Sequence, residues 1–295
     1  MELRVLKYFL MAAREQNITK AAQALHITQP TLSRQLMALE EELGVKLFER
    51  SSHSISLTGD GLLLKRRAQE IVSLEEKTVR ELALENTLGG ELEIGSGEFK
   101  SFSVFSDMML AFREQNPNVS FRLYSGNADN IKERIENGIL DMGVLSYPVD
   151  ISRYEFVHIP KSETWGILVH RDFEIAGKEF VTPQDLAEIP LLMPGRKLVQ
   201  SEIENWFGDF YDKLNVFAVY DLQYNAAVMA QKKVGAVLTI ELKSRYDNLK
   251  FIPFYPELKS GAVLVWKKNR VRSASAEAFV SFAKEYLGGI SDDTK

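Results

Sequence analysis

The sequence predicts two folded parts joined by a long helix: a small helical domain at the N-terminus and a larger α/β domain after it. Three observations predict this fold class. Apolar residues recur at three- and four-residue spacing over residues 3–43, a roughly heptad pattern runs over residues 58–88, and extended runs alternate with helical ones from Glu91 onward. A chain of 295 residues is long enough for two or three compact units.

The composition excludes several classes of protein. The sequence has no run approaching the roughly 18 apolar residues of a membrane span, and Glu2, Arg4 and Lys7 make its start unlike a signal peptide. We therefore expect a cytoplasmic protein with no membrane partner. The absence of cysteine excludes disulfides, thiolate metal sites and thiol-based redox sensing, and only four histidines remain for a metal. We expect neither a metal nor a cofactor.

Charge is distributed unevenly along the chain. Residues 1–67 carry ten Lys and Arg against seven Asp and Glu, a surplus of three, whereas the remaining residues carry 26 against 34, a deficit of eight. A basic nucleic-acid-reading unit attached to an acidic domain shows this asymmetry. A surplus of three is modest, so the interpretation depends on the motifs.

Three helices are predicted within the first 43 residues. The first is amphipathic; the second covers residues 20–25 with an N-cap at Thr19; the third begins after Thr28, its N-cap, and continues to about Leu43. Pro30 lies in the first turn of the third helix, where proline costs little because those amides lack partners within the helix.

The second and third helices, joined by a short turn, form a helix-turn-helix, whose second helix enters the DNA major groove. Leu32, Leu36 and Leu39 supply its buried stripe. We expect the polar side chains in the first turns of this second helix to hydrogen-bond to base edges or phosphates. The alternative is a surface helix whose polar side chains contact only solvent. The predicted DNA-binding residues here are Lys20, Thr28, Gln29, Pro30, Thr31, Ser33 and Arg34.

Two short extended runs after Gly44, residues 45–50 and 54–58, predict a wing hairpin, and residues 1–58 thus make a winged helix-turn-helix domain. Arg50, Ser51 and His53 lie near its tip, where we expect contacts to the minor groove or backbone. The alternative for Arg50 is a solvated surface charge.

Residues 59–90 are predicted to form a linker helix. A helix over residues 58–88 spans about 45 Å, more than one small domain covers, so we expect a partner helix and a homodimer that reads two half-sites. Gly89–Gly90 ends this helix and is the clearest linker in the sequence.

With these residues in place, the N-terminal region resembles the LysR-type transcriptional regulators. The resemblance rests on Phe9, Leu25 and residues 18–22, 27–33, 39–50 and 57–61. Asp60 stands where the family more often has alanine, but it lies at the start of a helix and not in the helix that contacts DNA. It implies a dimerising linker helix, a two-lobed effector domain and a homodimer or homotetramer. It also implies binding to inverted-repeat half-sites of promoter DNA, with RNA polymerase as a further partner.

Residues 91–295 alternate strands and helices, first as βαβαβ and then in a second such unit from Trp165, which predicts parallel pairing. We expect lobe I to comprise residues 91–161 and 266–295 and lobe II residues 162–265. The chain would cross between lobes near residues 159–162 and 265–267. This layout is that of a periplasmic-binding-like clamp, in agreement with the resemblance.

Ligands of open α/β sheets bind beyond the carboxyl ends of strands, where helix N-termini and loop amides converge. That rule selects loops in both lobes, and the resemblance indicates the same loops. The predicted effector-binding residues are Ser96, Phe99, Lys100, Ser101, Gly126, Asn127, Ser146, Met193, Arg196, Tyr224 and Asn225.

Lys100 and Arg196 favour an anionic metabolite as effector, because both can approach a carboxylate or phosphate. The alternative is two exposed surface cations. Glu98, beside the same opening, would instead favour a cationic or hydroxylated ligand. Phe99, Met193 and Tyr224 are also compatible with core positions.

Three rival functions remain. An enzyme is disfavoured, because the sequence has no glycine-rich phosphate loop, no GxSxG elbow and no nucleophile–base motif. A solute-binding protein is disfavoured by the N-terminal DNA unit. A helix-turn-helix used only for protein contacts stays open, and salt-dependent DNA binding would exclude it.

Overall fold

The structure is a computed structural model that describes residues 1–50, 54–83, 88–242 and 244–292. The chain divides into two compact units, Met1–Glu85 and Asn86–Lys295, which we describe separately. Among the described helices, none is long and apolar enough to cross a membrane.

The first unit contains a three-helix core, a hairpin and a long helix. Its elements are α1 (Leu3–Glu15), α2 (Ile18–Ala24), α3 (Gln29–Leu43), β1 (Phe48–Arg50), β2 (Ile55–Leu57) and α4 (Gly59–Ala83). Apolar side chains at helical spacing on α1, α2 and α3 form one buried cluster, which includes Phe9, Leu32 and Leu36. Gly44 ends α3 with φ +69°, a left-handed conformation that favours glycine.

The hairpin and α4 follow the predicted order. β1 pairs antiparallel with β2, so the two extended runs do form a hairpin. The Thr58 hydroxyl accepts a hydrogen bond from the Gly61 amide (3.0 Å) and thereby caps α4. Lys7 of α1 pairs with Glu75 of α4 (Nζ–Oε2 2.8 Å).

The second unit alternates strands and helices as the sequence predicts. Its strands and α-helices are β3 (Gly90–Ser96), α5 (Phe102–Gln115), β4 (Val119–Ser125), α6 (Ala128–Glu136), β5 (Met142–Ser146), β6 (Tyr154–His170), α7 (Pro183–Leu186), β7 (Leu191–Pro194), α8 (Lys197–Phe207), β8 (Val216–Tyr220), α9 (Gln223–Gln231), β9 (Ala236–Ile240), β10 (Leu249–Pro253), β11 (Lys259–Lys267) and α10 (Ala274–Asp292). Short 3-10 helices cover Glu174–Gly177 and Gly208–Lys213.

Two lobes share the long strands β6 and β11. The described strands follow the order β4-β3-β5-β11-β6-β9-β7-β8, and β10 adds to β6. The β3–β4, β3–β5, β7–β8 and β7–β9 pairs are parallel, as the βαβ pattern requires. The first half of β6 pairs with β11 and its second half with β9 and β10, so β6 passes from lobe I to lobe II.

The second crossing lies earlier than the sequence analysis placed it. Residues 262–266 of β11 pair with β5 of lobe I, and Trp266 is buried in the lobe I core. The register of β11 shifts between Gly261 and Ala262, so the chain returns to lobe I there and not near residues 265–267. A continuous apolar strand gives no sign of where its partner changes, which explains the error.

The start of the second unit also differs from the predicted linker. Gly90 is the first residue of β3, and the Gly89 amide donates to the buried Ser275 hydroxyl (3.0 Å). Gly89–Gly90 is therefore part of the folded second unit.

β10 was absent from the predicted elements. Gly166 permits its pairing, because a Cβ there would lie 2.2 Å from the Ile252 carbonyl oxygen.

Candidate nucleic-acid interface and ligand cleft

The first two turns of α3 present a polar surface opposite a buried apolar stripe. Leu32, Leu36 and Leu39 are at most 1% exposed and pack in the core of the first unit. The side chains of Gln29, Pro30, Thr31 and Arg34 are exposed, and Ser33 is half-buried. The helix therefore shows solvent the donors and acceptors that can read base edges in a major groove.

The turn into α3 is ordered by polar contacts. Thr28 occupies the N-cap position of α3, and its hydroxyl lies 2.8 Å from the Thr31 hydroxyl. The cap of α2 is Asn17, whose side chain accepts from the Lys20 amide (3.0 Å), so the prediction of Thr19 was wrong by two residues. Asparagine caps as well as threonine, and both adjoin the apolar run. Lys20 itself is exposed.

The wing is described only in part. β1 ends at Arg50, whose backbone pairs with Ile55. The side chain of Arg50 and the predicted contact residues Ser51 and His53 lie outside the described residues.

A cleft opens between the two lobes of the second unit. Lobe I contributes the loops after β3, β4 and β5, and lobe II contributes the loops after β7 and β8 together with parts of β6 and β9. Its volume is about 120 Å³. A cavity of roughly 150 Å³ accommodates a benzene-sized molecule, so the cleft suits a small ligand. Five predicted effector residues line it: Phe99, Gly126, Asn127, Ser146 and Arg196.

Arg196 is the cation of this cleft, and its side chain is 13% exposed. It reaches lobe I, because its Nη2 donates to the Pro148 carbonyl (3.0 Å). Its Nε lies 3.7 Å from Asp129 Oδ2, near enough for attraction but beyond hydrogen-bond distance, and has no hydrogen-bond acceptor among the described residues. Burial lowers the pKa of Arg196, and Asp129 opposes that shift. The guanidinium keeps its charge, since its usual pKa is far above neutrality.

Lys100 does not line this cleft. Its ammonium pairs with Glu241 of lobe II (Nζ–Oε2 2.6 Å), and its side chain lines an adjoining groove together with Tyr224. The amides of Lys100 and Ser101 donate to the fully buried Glu163 carboxylate (3.1 and 2.7 Å). The donors at the start of α5 are thus already occupied by an internal acid.

The remaining predicted effector residues are placed elsewhere. Ser101 is fully buried, and its hydroxyl has no hydrogen-bond partner in the described structure. Met193 is 3% exposed and belongs to the lobe II core. Ser96 lines the adjoining groove, and Asn225 is an exposed residue of α9 that lines neither opening.

Several residues that line the cleft were not among the predicted effector-binding residues. They are Glu98, Tyr147, Trp165, Gly195, Tyr220, Asp221, Gln223 and Thr239. Glu98 is the acid that the sequence places beside the opening. Thr239 lies near the carboxyl end of β9 and Asp221 follows the carboxyl end of β8, so both obey the strand-end rule. Trp165 comes from the middle of β6 and carries no such signal.

Inside the cleft, the polar groups form short networks. The Thr239 hydroxyl donates to Gln223 Oε1 (2.6 Å), and the Tyr220 hydroxyl donates to the Leu238 carbonyl (2.8 Å). Burial raises the pKa of Tyr220, which keeps the phenol neutral. The backbone N–H of Gln223, in lobe II, donates to Glu98 Oε2 of lobe I (3.2 Å). The hydrogen bond between Gln223 and Glu98 therefore joins the two lobes across the cleft.

Two protein-family models match the chain. Residues 3–62 match the one described as "Bacterial regulatory helix-turn-helix protein, lysR family", and residues 85–288 match the one described as "LysR substrate binding domain". The two matches cover the first unit up to the start of α4 and nearly all of the second unit.

Curated relatives are similar over the full length. The uncharacterized HTH-type transcriptional regulator YybE of Bacillus subtilis (strain 168) is 29% identical over 291 residues, which cover 96% of this chain and 98% of the relative. The hydrogen peroxide-inducible genes activator of Pectobacterium carotovorum is 26% identical and covers 98% of both chains.

Solved structures share the fold. Full-length CbnR, crystallised in complex with its target DNA, superposes with a TM-score of 0.75 at 23% identity, covering 97% of this chain and 100% of CbnR. HinK, a LysR family transcriptional regulator from Pseudomonas aeruginosa, superposes with a TM-score of 0.56 at 23% identity, covering 98% of this chain and 99% of HinK.

Proposed function

Because this chain belongs to the LysR family of bacterial transcriptional regulators, we propose that α3 reads promoter DNA and that a small molecule in the interlobe cleft controls this binding. The family consists of regulators, not enzymes, and we assign no catalytic residue. Membership of the family does not identify which side chains contact DNA, where the effector binds or how the two events are linked.

The surface of α3 is the observation that carries the DNA-binding proposal. Gln29, Thr31 and Arg34 are exposed on one face while the opposite face is fully buried. Arg34 has no ion-pair partner in the described part of the chain, so its guanidinium is available to guanine or phosphate. We propose that Lys20 contacts a DNA phosphate, because it is an exposed cation on α2, the other helix of the helix-turn-helix.

The cleft supports an effector with an anionic group. Arg196 lines it with a guanidinium that is 13% exposed, and a charged donor in a partly dry site binds a carboxylate or phosphate strongly. We propose that effector binding changes lobe closure by a coupling of about 1 to 3 kcal/mol, and that the altered oligomer geometry changes half-site spacing or DNA bending. The oligomer would be a homodimer or homotetramer on inverted-repeat half-sites near RNA polymerase.

The test compares Arg34→Ala with wild-type protein on DNA selected from a random library by the wild-type chain. We expect the variant to lose about 1 to 3 kcal/mol per half-site, roughly 5- to 150-fold, on the selected DNA and much less on unselected DNA. Gel shift or fluorescence anisotropy measures both affinities. Arg113→Ala, an exposed cation of the second unit, is the control and should bind like wild type. Equal losses on both DNAs would make Arg34 a phosphate contact, and no loss on either would remove α3 from the interface.

A further inference from the structure

The interlobe cleft carries charges of both signs. Its lining includes one cation, Arg196, and two carboxylates, Glu98 and Asp221. Neither carboxylate forms an ion pair in the described part of the chain, so neither charge is neutralised by a neighbouring Lys or Arg. A purely anionic ligand would gain from Arg196 but would also be repelled by the two acids.

Arg196 supplies one half of a binding site. Its Nη2 donates to the Pro148 carbonyl and its buried Nε faces Asp129 Oδ2 at 3.7 Å, which leaves further N–H donors of the guanidinium for a ligand. An incoming carboxylate would accept charge-assisted hydrogen bonds from those donors. Arg196 thus favours a ligand with an anionic end.

The two acids supply the other half. Glu98 accepts one hydrogen bond, from the Gln223 amide, and keeps its net charge. Asp221 lies beside the loop that carries Arg196, because a Cβ on Gly195 would be 3.2 Å from Asp221 Oδ1. An ammonium group that reaches these oxygens would gain charge-assisted hydrogen bonds.

The aromatic wall of the cleft favours the same kind of ligand. Phe99, Tyr147, Trp165 and Tyr220 all line it, and Tyr220 remains a neutral phenol. Aromatic faces attract ammonium groups through the negative potential above the ring. They offer a carboxylate no such attraction, so the aromatic residues favour a ligand that carries an ammonium group.

We propose that the effector is a small zwitterion, a molecule with both a carboxylate and an ammonium group such as an amino acid. Arg196 binds the carboxylate, and Glu98 with Asp221 binds the ammonium group. The volume of about 120 Å³ suits a ligand with few non-hydrogen atoms beyond these two groups. This assignment rests on the proposed function, since it specifies the ligand of the same cleft.

The experiment uses the full-length chain and three sets of compounds. The first set contains the twenty protein amino acids, β-alanine and 4-aminobutyrate. The second contains the matching carboxylic acids without the amino group, and the third contains the matching amines without the carboxylate. Thermal shift identifies binders and calorimetry measures their affinities. We expect at least one zwitterion to bind, with each of its two matched partners at least tenfold weaker.

Variants then test which side chains bind the carboxylate of the ligand and which bind its ammonium group. Glu98→Gln and Asp221→Asn keep size and hydrogen-bond oxygens but remove charge, and each should weaken zwitterion binding about tenfold or more while sparing any weak binding of the acid. Arg196→Gln should weaken the zwitterion and the acid alike. Glu188→Gln and Lys197→Gln remove exposed charges of lobe II outside the cleft lining, so they are the matched controls and should bind like wild type.

The outcomes separate this inference from the proposed function. An acid that binds as tightly as its zwitterion, and that depends on Arg196 but not on Glu98 or Asp221, would overturn the zwitterion and leave an anion-binding cleft. An amine that binds as tightly as its zwitterion would overturn the role of Arg196. Binding by no zwitterion in the panel would overturn the inference, and the DNA-binding half of the proposed function would be unaffected.

Discussion

Glu40 of α3 is hydrogen-bonded to the backbone at the start of the hairpin in the first unit. It is 4% exposed, and its Oε1 accepts hydrogen bonds from the amides of Leu47 (2.8 Å) and Phe48 (3.2 Å). Buried amides at the start of a strand need such an acceptor, and a carboxylate makes stronger bonds than a neutral group. Lys46 lies 3.7 Å from its other oxygen but is largely exposed, so that pair contributes little.

Glu40→Ala should therefore loosen the hairpin. We expect the two amides to lose about 2 kcal/mol of protection, because they would be left buried without a partner. Hydrogen exchange followed by mass spectrometry on peptides covering residues 44–50 should show exchange roughly thirtyfold faster. Tryptophan fluorescence would miss this change, since Trp165, Trp206 and Trp266, the three tryptophans of the chain, all lie in the second unit.

Two comparison variants make the Glu40 result specific. Glu40→Gln keeps an acceptor oxygen and should exchange at a rate between those of wild type and Glu40→Ala. Glu41→Ala removes an exposed carboxylate one position along α3 and should leave exchange unchanged. Similar exchange in Glu40→Ala and Glu41→Ala would mean that the hairpin does not depend on this carboxylate.

Single residues were predictable where a local rule selects them. Helical spacing separated the exposed Arg34 from the buried Leu36 without any knowledge of the fold. Glu40 shows the limit of that reasoning, because it lies in an acidic run and only the packed hairpin buries it. Trp165 reaches the cleft through the crossing of β6, which no local pattern encodes.

Helix α4 leaves an apolar stripe uncovered. Leu63, Ile71, Leu74 and Leu82 are 38% to 79% exposed, and their positions fall on one side of the helix. Leu64 and Ala68 share a roughly heptad spacing with Ile71 and Leu82, but they pack against the core of the first unit. Leu64 and Leu82 lie on the same side of the helix, so the core covers that side only in the first half of α4, and we assign the exposed apolar side chains to a second copy of the chain.

Leu74→Glu should break the dimer that we propose. A carboxylate at the middle of the stripe would have to lose its hydration when the partner helix packs, which costs several kcal/mol for an unpaired charge. Sedimentation velocity at micromolar concentration should show a monomer for the variant and a dimer or tetramer for the wild type. Ser73→Glu introduces the same charge at an exposed position of α4 outside the stripe and should leave the oligomer intact. An unchanged oligomer in Leu74→Glu would place the interface elsewhere.

Most helices and strands were predictable because their periodicity is local. The βαβ pattern of residues 90–146 needed only runs of apolar residues and the helical spacing between them. The exchange of partners along β6 and β11 was not predictable, because the pairing register of each strand is set by strands that are distant in the sequence. β10 belongs to the same class, since a short run of five residues resembles a loop until its partner is known.

The charge of the chain is separated between its ends, and that separation bears on how it binds DNA. The surplus of three positive charges in residues 1–67 is small, and the deficit of eight in the remainder would repel the phosphate backbone. Attraction must therefore come from a few cations close to the DNA, such as Lys20 and Arg34. The number of phosphates that they neutralise can be measured.

Salt dependence gives that number and decides between DNA binding and a helix-turn-helix that contacts only protein. If each protomer of a dimer neutralises about three phosphates, the plot of log affinity against log salt should have a slope of about −5, and affinity should fall roughly thousandfold from 50 to 200 mM KCl. Fluorescence anisotropy on the selected DNA measures this slope. Lys20→Ala should bring the slope to about −3.5, since two phosphate contacts are lost per dimer, whereas Lys232→Ala, an exposed cation of the second unit, should not change it. A slope near zero would contradict phosphate contacts by the first unit and favour the protein-contact alternative.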